Sequence, residues 1–220
     1  EAAAAASPAG VPVIGDGDTG HGNPANVRRT LEQYAAAGFA GIMIEDQVAP
    51  KRCGHTGVKE VVDRAEALRR MRAAVDARAA GADLVIVART DARSALGLDE
   101  ALWRLNAFAD LGADILFLEA PRDESEMARF RDQVPGLRMA NMLEEGITPL
   151  LPPARLEELG YRLAAYPLTL LSCAVRAMQS ALADLAQGRT PVERVSFADL
   201  RRLVGFEDYD RLLAGYADPD

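Results

Sequence analysis

The chain has 220 residues, enough for one large domain or two small ones, and its 49% of hydrophobic residues can fill a sizeable core. A net charge of −8, with no run of like charge, excludes the basic face that a nucleic-acid binder needs, although a local cationic cluster can still hold a small anion. No apolar stretch is long enough to span a membrane. The alanine-rich start lacks the regions of a signal peptide, and two cysteines, Cys53 and Cys173, leave a disulfide open but cannot make a disulfide scaffold, so the default expectation is a cytoplasmic enzyme.

In chain order, short apolar runs at 11–15, 41–44, 84–88, 115–118, 137–140 and 162–165 predict strands. Several are continuous, as in parallel strands covered on both faces. Amphipathic stretches at 26–37, 62–79, 98–111 and 125–133 predict the helices between them, and Gly38, Gly81, Gly112 and Gly160 stand where helices end. A longer helical pattern follows at 168–186. It breaks at Gly188 and Pro191, and shorter patterns at 197–204 and 207–216 complete the chain. Alternating strand and helix predicts a parallel sheet.

A (β/α)8 barrel needs eight strands over typically ~250 residues, and six are countable here. The expected fold is therefore α/β: a (β/α)8 TIM-type barrel with C-terminal helices, two N-terminal βα units being absent from this sequence. Residues 1–187 would form the partial catalytic barrel and 188–220 a helical tail. The lack of an initiating Met fits a fragment. The alternative is an open doubly wound sheet, but no G-x-G-x-x-G follows the first strand, and acidic residues among Gly17, Gly20 and Gly22 would repel a phosphate.

The polar residues fall where these strands end: Asp16 and Asp18; Glu45 and Asp46; Arg89, Thr90 and Asp91; then Glu119, Asn141 and Tyr166. Any one of them alone reads as a helix cap or a solvated loop residue. Together, in a barrel, they would converge on one mouth. Asp16, Asp18 and Glu45 are hard oxygen donors, suited to Mg²⁺, which keeps several of its waters; Cys53 and His55 are too few and too close for zinc. Cys53 stands among Lys51, Arg52 and His55, and positive charge favours the thiolate. The plainer fate of a free cysteine is to pack as a small hydrophobe, and that is the expectation for Cys173, in the middle of the 168–186 helix. Arg89, ending a buried strand, either pairs with Glu45 or Glu119 or grips a substrate carboxylate.

These segments resemble the isocitrate lyase/phosphoenolpyruvate mutase superfamily. The matching residues are Asp16-Gly17-Asp18-Thr19-Gly20-His21-Gly22, Ile44-Glu45-Asp46-Gln47, Lys51-Arg52-Cys53-Gly54-His55 and Ala88-Arg89-Thr90-Asp91-Ala92, continued by Asn141-Met142-Leu143-Glu144 and Thr148-Pro149-Leu150. The resemblance implies a Mg²⁺-dependent barrel enzyme, with Mn²⁺ able to substitute, acting on a small anionic 2-hydroxy-carboxylate. It implies metal binding at Asp16, Asp18 and Glu45, mostly through water. It implies catalytic roles for Cys53, Lys51, His55, Arg89 and Glu119, and substrate contacts from Arg89, Asn141, Gly54, His55 and Glu119. Lys51, Cys53 and His55 would lie on a gating loop, with Cys53 protonating the departing carbanion after retro-aldol cleavage.

The Cys-Gly-His loop points to the lyases of the superfamily. A carboxyphosphonoenolpyruvate-type phosphonomutase and a non-catalytic organic-acid-binding barrel are the alternatives. Methylisocitrate lyases carry an arginine soon after their Tyr-Pro-Leu segment. Here Tyr166-Pro167-Leu168 is followed by Thr169, Leu170, Leu171 and Ser172, which favours a smaller dicarboxylate of the 2,3-dimethylmalate or citramalate kind over a tricarboxylate. The resemblance further implies a homotetramer with swapped C-terminal helices, and the tail offers an apolar stripe from Phe197 to Tyr216 for that contact.

Overall fold

The computed structural model describes residues 10–51 and 59–216. Six strands lie side by side in chain order: β1 (Ile14–Asp16), β2 (Gly41–Glu45), β3 (Val85–Thr90), β4 (Ile115–Leu118), β5 (Leu137–Asn141) and β6 (Leu163–Ala165). Every pairing is parallel. A doubly wound sheet reverses its strand order at a switch point. No reversal occurs among these strands, so that alternative is set aside.

Between the strands run α1 (Pro24–Ala36), α2 (Arg64–Ala79), α3 (Ala92–Leu96), α4 (Leu98–Leu111), α5 (Glu124–Gln133) and α6 (Pro153–Glu158). Their starts carry the expected chemistry. Asn23 accepts from the N–H groups of Ala25 and Asn26 at the head of α1, with Pro24 in the first turn. Asp63 and Asp123 accept from the N–H groups of Glu66 and Glu126 at the heads of α2 and α5. Each such cap is worth about 1 kcal/mol. The short α3, directly behind Asp91, is an element the periodicity did not anticipate.

Alternate strand residues point to opposite faces. One face sends Ile42, Ile44, Ile86, Ala88, Leu116 and Leu118 into a closed core with Leu31, Met71, Leu105, Phe108, Met127 and Phe130 of the helices. On the other face the register forms slanted rows: Asp16, Met43, Val87, Ile115 and Leu137 in one, and Glu45, Arg89, Phe117, Met139 and Leu163 in the next. This second face is concave. A cavity of about 360 Å³ is lined at once by Ile14 and Asp16 of β1 and by Leu163 and Ala165 of β6. Laid flat, six strands would hold those edges roughly 24 Å apart. The sheet therefore curls into a half-barrel, as in TIM-type folds, with its strand carboxyl ends on a common rim.

The chain divides into two compact units, Glu1–Leu168 and Thr169–Asp220. The division falls ahead of the sequence break at Gly188, because α7 (Thr169–Ala186) groups with the tail helices α8 (Phe197–Leu203) and α9 (Phe206–Ala214). None of the three buries a residue. Cys173, expected to pack in a core, is instead exposed and free, since the helix that carries it buries nothing. Among the described residues no helix is long and apolar enough to cross a membrane.

Candidate active site

The first wall of the site is the turn after β1. Asp16 ends the strand, and its Oδ1 accepts the N–H of Asp18 at 2.9 Å. Gly17 between them donates its N–H to the Met43 carbonyl at 2.8 Å. A Cβ there would stand 2.7–2.8 Å from Ile44, Ile42 and the Met43 oxygen, so only glycine lets the two aspartates press this closely on β2. The Glu45 N–H in turn donates to the Asp18 carbonyl at 2.9 Å. Backbone bonds thus tie all three predicted metal-site carboxylates into one frame.

Lys51 reaches into that frame. Its Nζ lies 2.8 Å from Asp16 Oδ2, against Asp18 Oδ1, and 3.9 Å from Glu45 Oε2. Burial would lower its pKa, but the hydrogen-bonded Asp16 and Asp18 carboxylates outweigh that and hold it above the usual lysine value. Glu45 is 2% exposed, and neither of its oxygens accepts a hydrogen bond. Burial pushes its carboxyl up to about 7, against the pull of the Arg89 guanidinium and with some help from Asp91. A buried carboxylate without hydrogen-bond donors, beside two more carboxylates drawn onto an ammonium, is a donor set that wants a cation. Among the described residues no three Asp, Glu, His or Cys side chains are arranged to ligate a metal directly. In donor chemistry the set, all carboxylate oxygens, fits a hard cation.

The second wall is β3 and β4. Arg89 places Nε 3.4 Å from Glu45 Oε2 and Nη2 3.7 Å from Glu119 Oε1, with its guanidinium 5.3 Å from the centre of the Phe117 ring. Burial works against its charge, but the Glu119, Asp91 and Glu45 carboxylates, Asp91 as hydrogen-bond acceptor, keep it protonated. Glu119, 1% exposed, continues β4 and donates its N–H to the Thr90 carbonyl at 3.1 Å. Asn141 ends β5; it and Glu119 each stand two residues beyond the paired Phe117 and Met139, hence at the same height on the rim. The structure thus brings together Asp16, Asp18, Glu45, Lys51, Arg89 and Glu119, with Asn141 next along. Cys53, Gly54 and His55 lie outside the described residues.

Four residues support this wall: Asp46 and Asp91, which the sequence placed at strand ends without a role, and Lys59 and Arg104, which it passed over. Asp91 accepts Nε and Nη2 of Arg89 at 2.9 and 3.0 Å. Asp46 accepts from Thr90 Oγ1, from the Asp91 N–H and from Arg104 Nη1. Lys59 lies 3.4 Å from Asp91. Arg104 was legible in principle: it falls on the same face of α4 as Ala101, Leu105 and Phe108, where an arginine must find a buried anion.

The sequence model described as phosphoenolpyruvate phosphomutase matches residues 1–186. The chain is 45% identical over 213 residues to 2,3-dimethylmalate lyase of Eubacterium barkeri, covering 95% of this chain and 73% of that protein. It is 38% identical over 211 residues to the chloroplastic carboxyvinyl-carboxyphosphonate phosphorylmutase of Arabidopsis thaliana, covering 94% of this chain but only 60% of that one. A structure of oxaloacetate acetylhydrolase with the inhibitor 3,3-difluorooxalacetate superposes with a TM-score of 0.86 at 37% identity, covering 93% of this chain and 70% of that chain. With the matched region spanning the whole half-barrel, the chain belongs to the phosphoenolpyruvate phosphomutase family, within the PEP mutase/isocitrate lyase superfamily.

Proposed function

We propose that this protein is a Mg²⁺-dependent carbon–carbon lyase that cleaves a small 2-hydroxy-dicarboxylate into an oxo acid and a carboxylate. One observation carries the reading: three carboxylates and a buried arginine share one rim of the concave sheet, a pairing that can hold a cation and the anion it polarises. Kinship with 2,3-dimethylmalate lyase and oxaloacetate acetylhydrolase, both named for chemistry on small carboxylates, supports the reaction class. Asp16, Asp18 and Glu45 would hold Mg²⁺ through its water shell, and the ion, when bound, supplies Lewis-acid stabilisation of negative charge on oxygen.

The protein's own side chains do the rest. Arg89 grips a substrate carboxylate, with Glu119 and Asn141 completing the pocket. The substrate hydroxyl passes its proton to a general base, the adjacent carbon–carbon bond breaks, and a carbonyl forms. The electron pair left on the other fragment is quenched by a proton from Cys53. Lys51, Gly54 and His55 neighbour Cys53 in sequence, and positive charge near a thiol keeps its conjugate base accessible. The tail helices pack between subunits of a cytoplasmic homotetramer.

The test is a panel of 2-hydroxy-dicarboxylates and tricarboxylates with Mg²⁺, assayed for oxo-acid release. Dicarboxylates should be cleaved preferentially, chelation should abolish the activity, and Mg²⁺ or Mn²⁺ should restore it. Full activity in excess chelator would sink the metal role, and phosphonate rearrangement without oxo-acid release would favour the mutase.

A further inference from the structure

Behind Arg89 a buried chain of polar groups crosses from the outer helix layer to the site. Arg104, 2% exposed in the middle of α4, donates from Nη1 to Asp46 Oδ2 at 3.1 Å. Thr90 Oγ1 donates to the same oxygen at 2.5 Å, and Asp46 Oδ1 accepts the Asp91 N–H at 2.9 Å. The end of β3 is thereby locked in place. Asp91, wholly buried, then takes both Nε and Nη2 of Arg89, with Lys59 Nζ 3.4 Å away.

This arrangement restricts how Arg89 can be used. A guanidinium offers two edges for a two-bond grip on a carboxylate: the side edge, Nε with Nη2, and the end edge, Nη1 with Nη2. The side edge is taken by Asp91. Nε is also 3.4 Å from Glu45 and Nη2 3.7 Å from Glu119, so without Asp91 the cation would be free to settle on either acid. We propose that Asp91, anchored from behind by Asp46 and Arg104, is the positioning residue that holds Arg89 off Glu45 and Glu119 and reserves its Nη1–Nη2 edge for the anionic ligand. The inference rests on the reading of Arg89 as the carboxylate-binding group.

Oxalate serves as the probe, titrated calorimetrically into the full chain with Mg²⁺ present. Arg89→Met tests the underlying reading and should abolish binding. Asp91→Asn keeps the side chain's size but loses its charge. It should weaken oxalate about tenfold at unchanged stoichiometry, whereas a merely structural lesion would lower the stoichiometry and leave the Kd of the folded fraction alone. In the cleavage assay the same variant should raise KM far more than it lowers kcat. Arg104→Lys acts from the outer end of the chain and covers the case in which Asp91→Asn does not fold; a roughly threefold weaker Kd supports the relay. If Arg89→Met binds oxalate normally, both the reading and the inference fall. If Arg89→Met is impaired while folded Asp91→Asn, or in its place Arg104→Lys, binds oxalate as the wild type does, the inference alone is overturned.

Discussion

Replacing Glu45 by glutamine should make the metal-free protein more stable at neutral pH while weakening its hold on a cation. Burial moves the Glu45 carboxyl from 4.5 to about 7. Between those values the folded protein keeps a proton that the unfolded chain has released, so stability falls as pH rises through this window and stays lowered above it. At ~1.4 kcal/mol per pH unit the loss is about 3 kcal/mol. Glutamine never ionises and escapes it. Urea unfolding in chelator at pH 4 and pH 8 measures the effect as the change, between the two conditions, in the stability difference of wild type and variant. That difference should grow by a few kcal/mol in the variant's favour at pH 8, and added Mn²⁺ should raise the wild-type midpoint but not the variant's. Two proteins whose stabilities run parallel across the pH range would show that Glu45 is not held against its charge, and the case for a cation-seeking site would lose its main support.

Cys53→Ser should slow cleavage by orders of magnitude while oxalate still binds, because a hydroxyl is a far weaker acid than a thiol; a normal rate in the variant would remove Cys53 as proton donor. Ending the chain after Gln187 deletes α8 and α9 with their exposed Phe197, Leu203 and Tyr209, and Tyr216 just beyond them. Light scattering after size exclusion should then report a smaller assembly or an insoluble product, and retention of the full-length oligomeric mass would show that the tail does not hold subunits together.

The half-barrel was legible because buried parallel strands are short apolar runs that turn polar where they emerge. Gly41-Ile42-Met43-Ile44 followed by Glu45-Asp46 marks both the strand and the rim in a single stretch. What the pattern alone left open was strand order, since doubly wound sheets and barrels share the same alternation of strand and helix. Only the pairings of β1 with β2 and onward through β6 decide between them. The site's carboxylates were legible for the same reason as the strands.

Its supporting residues were harder to see. Arg104 and Asp46 meet only after folding, and nothing local to either announces the other. That the Lys51 ammonium reaches Asp16 and Asp18 was equally hidden, a contact set by the backbone path and by charge attraction rather than by spacing. Cys173 misled for the opposite reason: its helix has an apolar pattern, but apolarity records that a face will be covered and not by what.

The five strand pairings have unequal reach along the chain. Ile115 pairs with Leu137 and Met139 with Leu163, but Gly41 must wait for Val85. That longest excursion is the one that carries Lys51 and Cys53. Doubling a flexible loop adds only about 0.6 kcal/mol of closure entropy, little beside what a packed strand contributes. Much of the excursion is α2, whose Ala67, Met71, Ala74 and Ala77 are buried, and Gln47 pairs with Val61 across the base of the rest, so that small cost applies only between those two residues. A change of length entered between Gln47 and Val61 thus reaches the sheet only through a closed base.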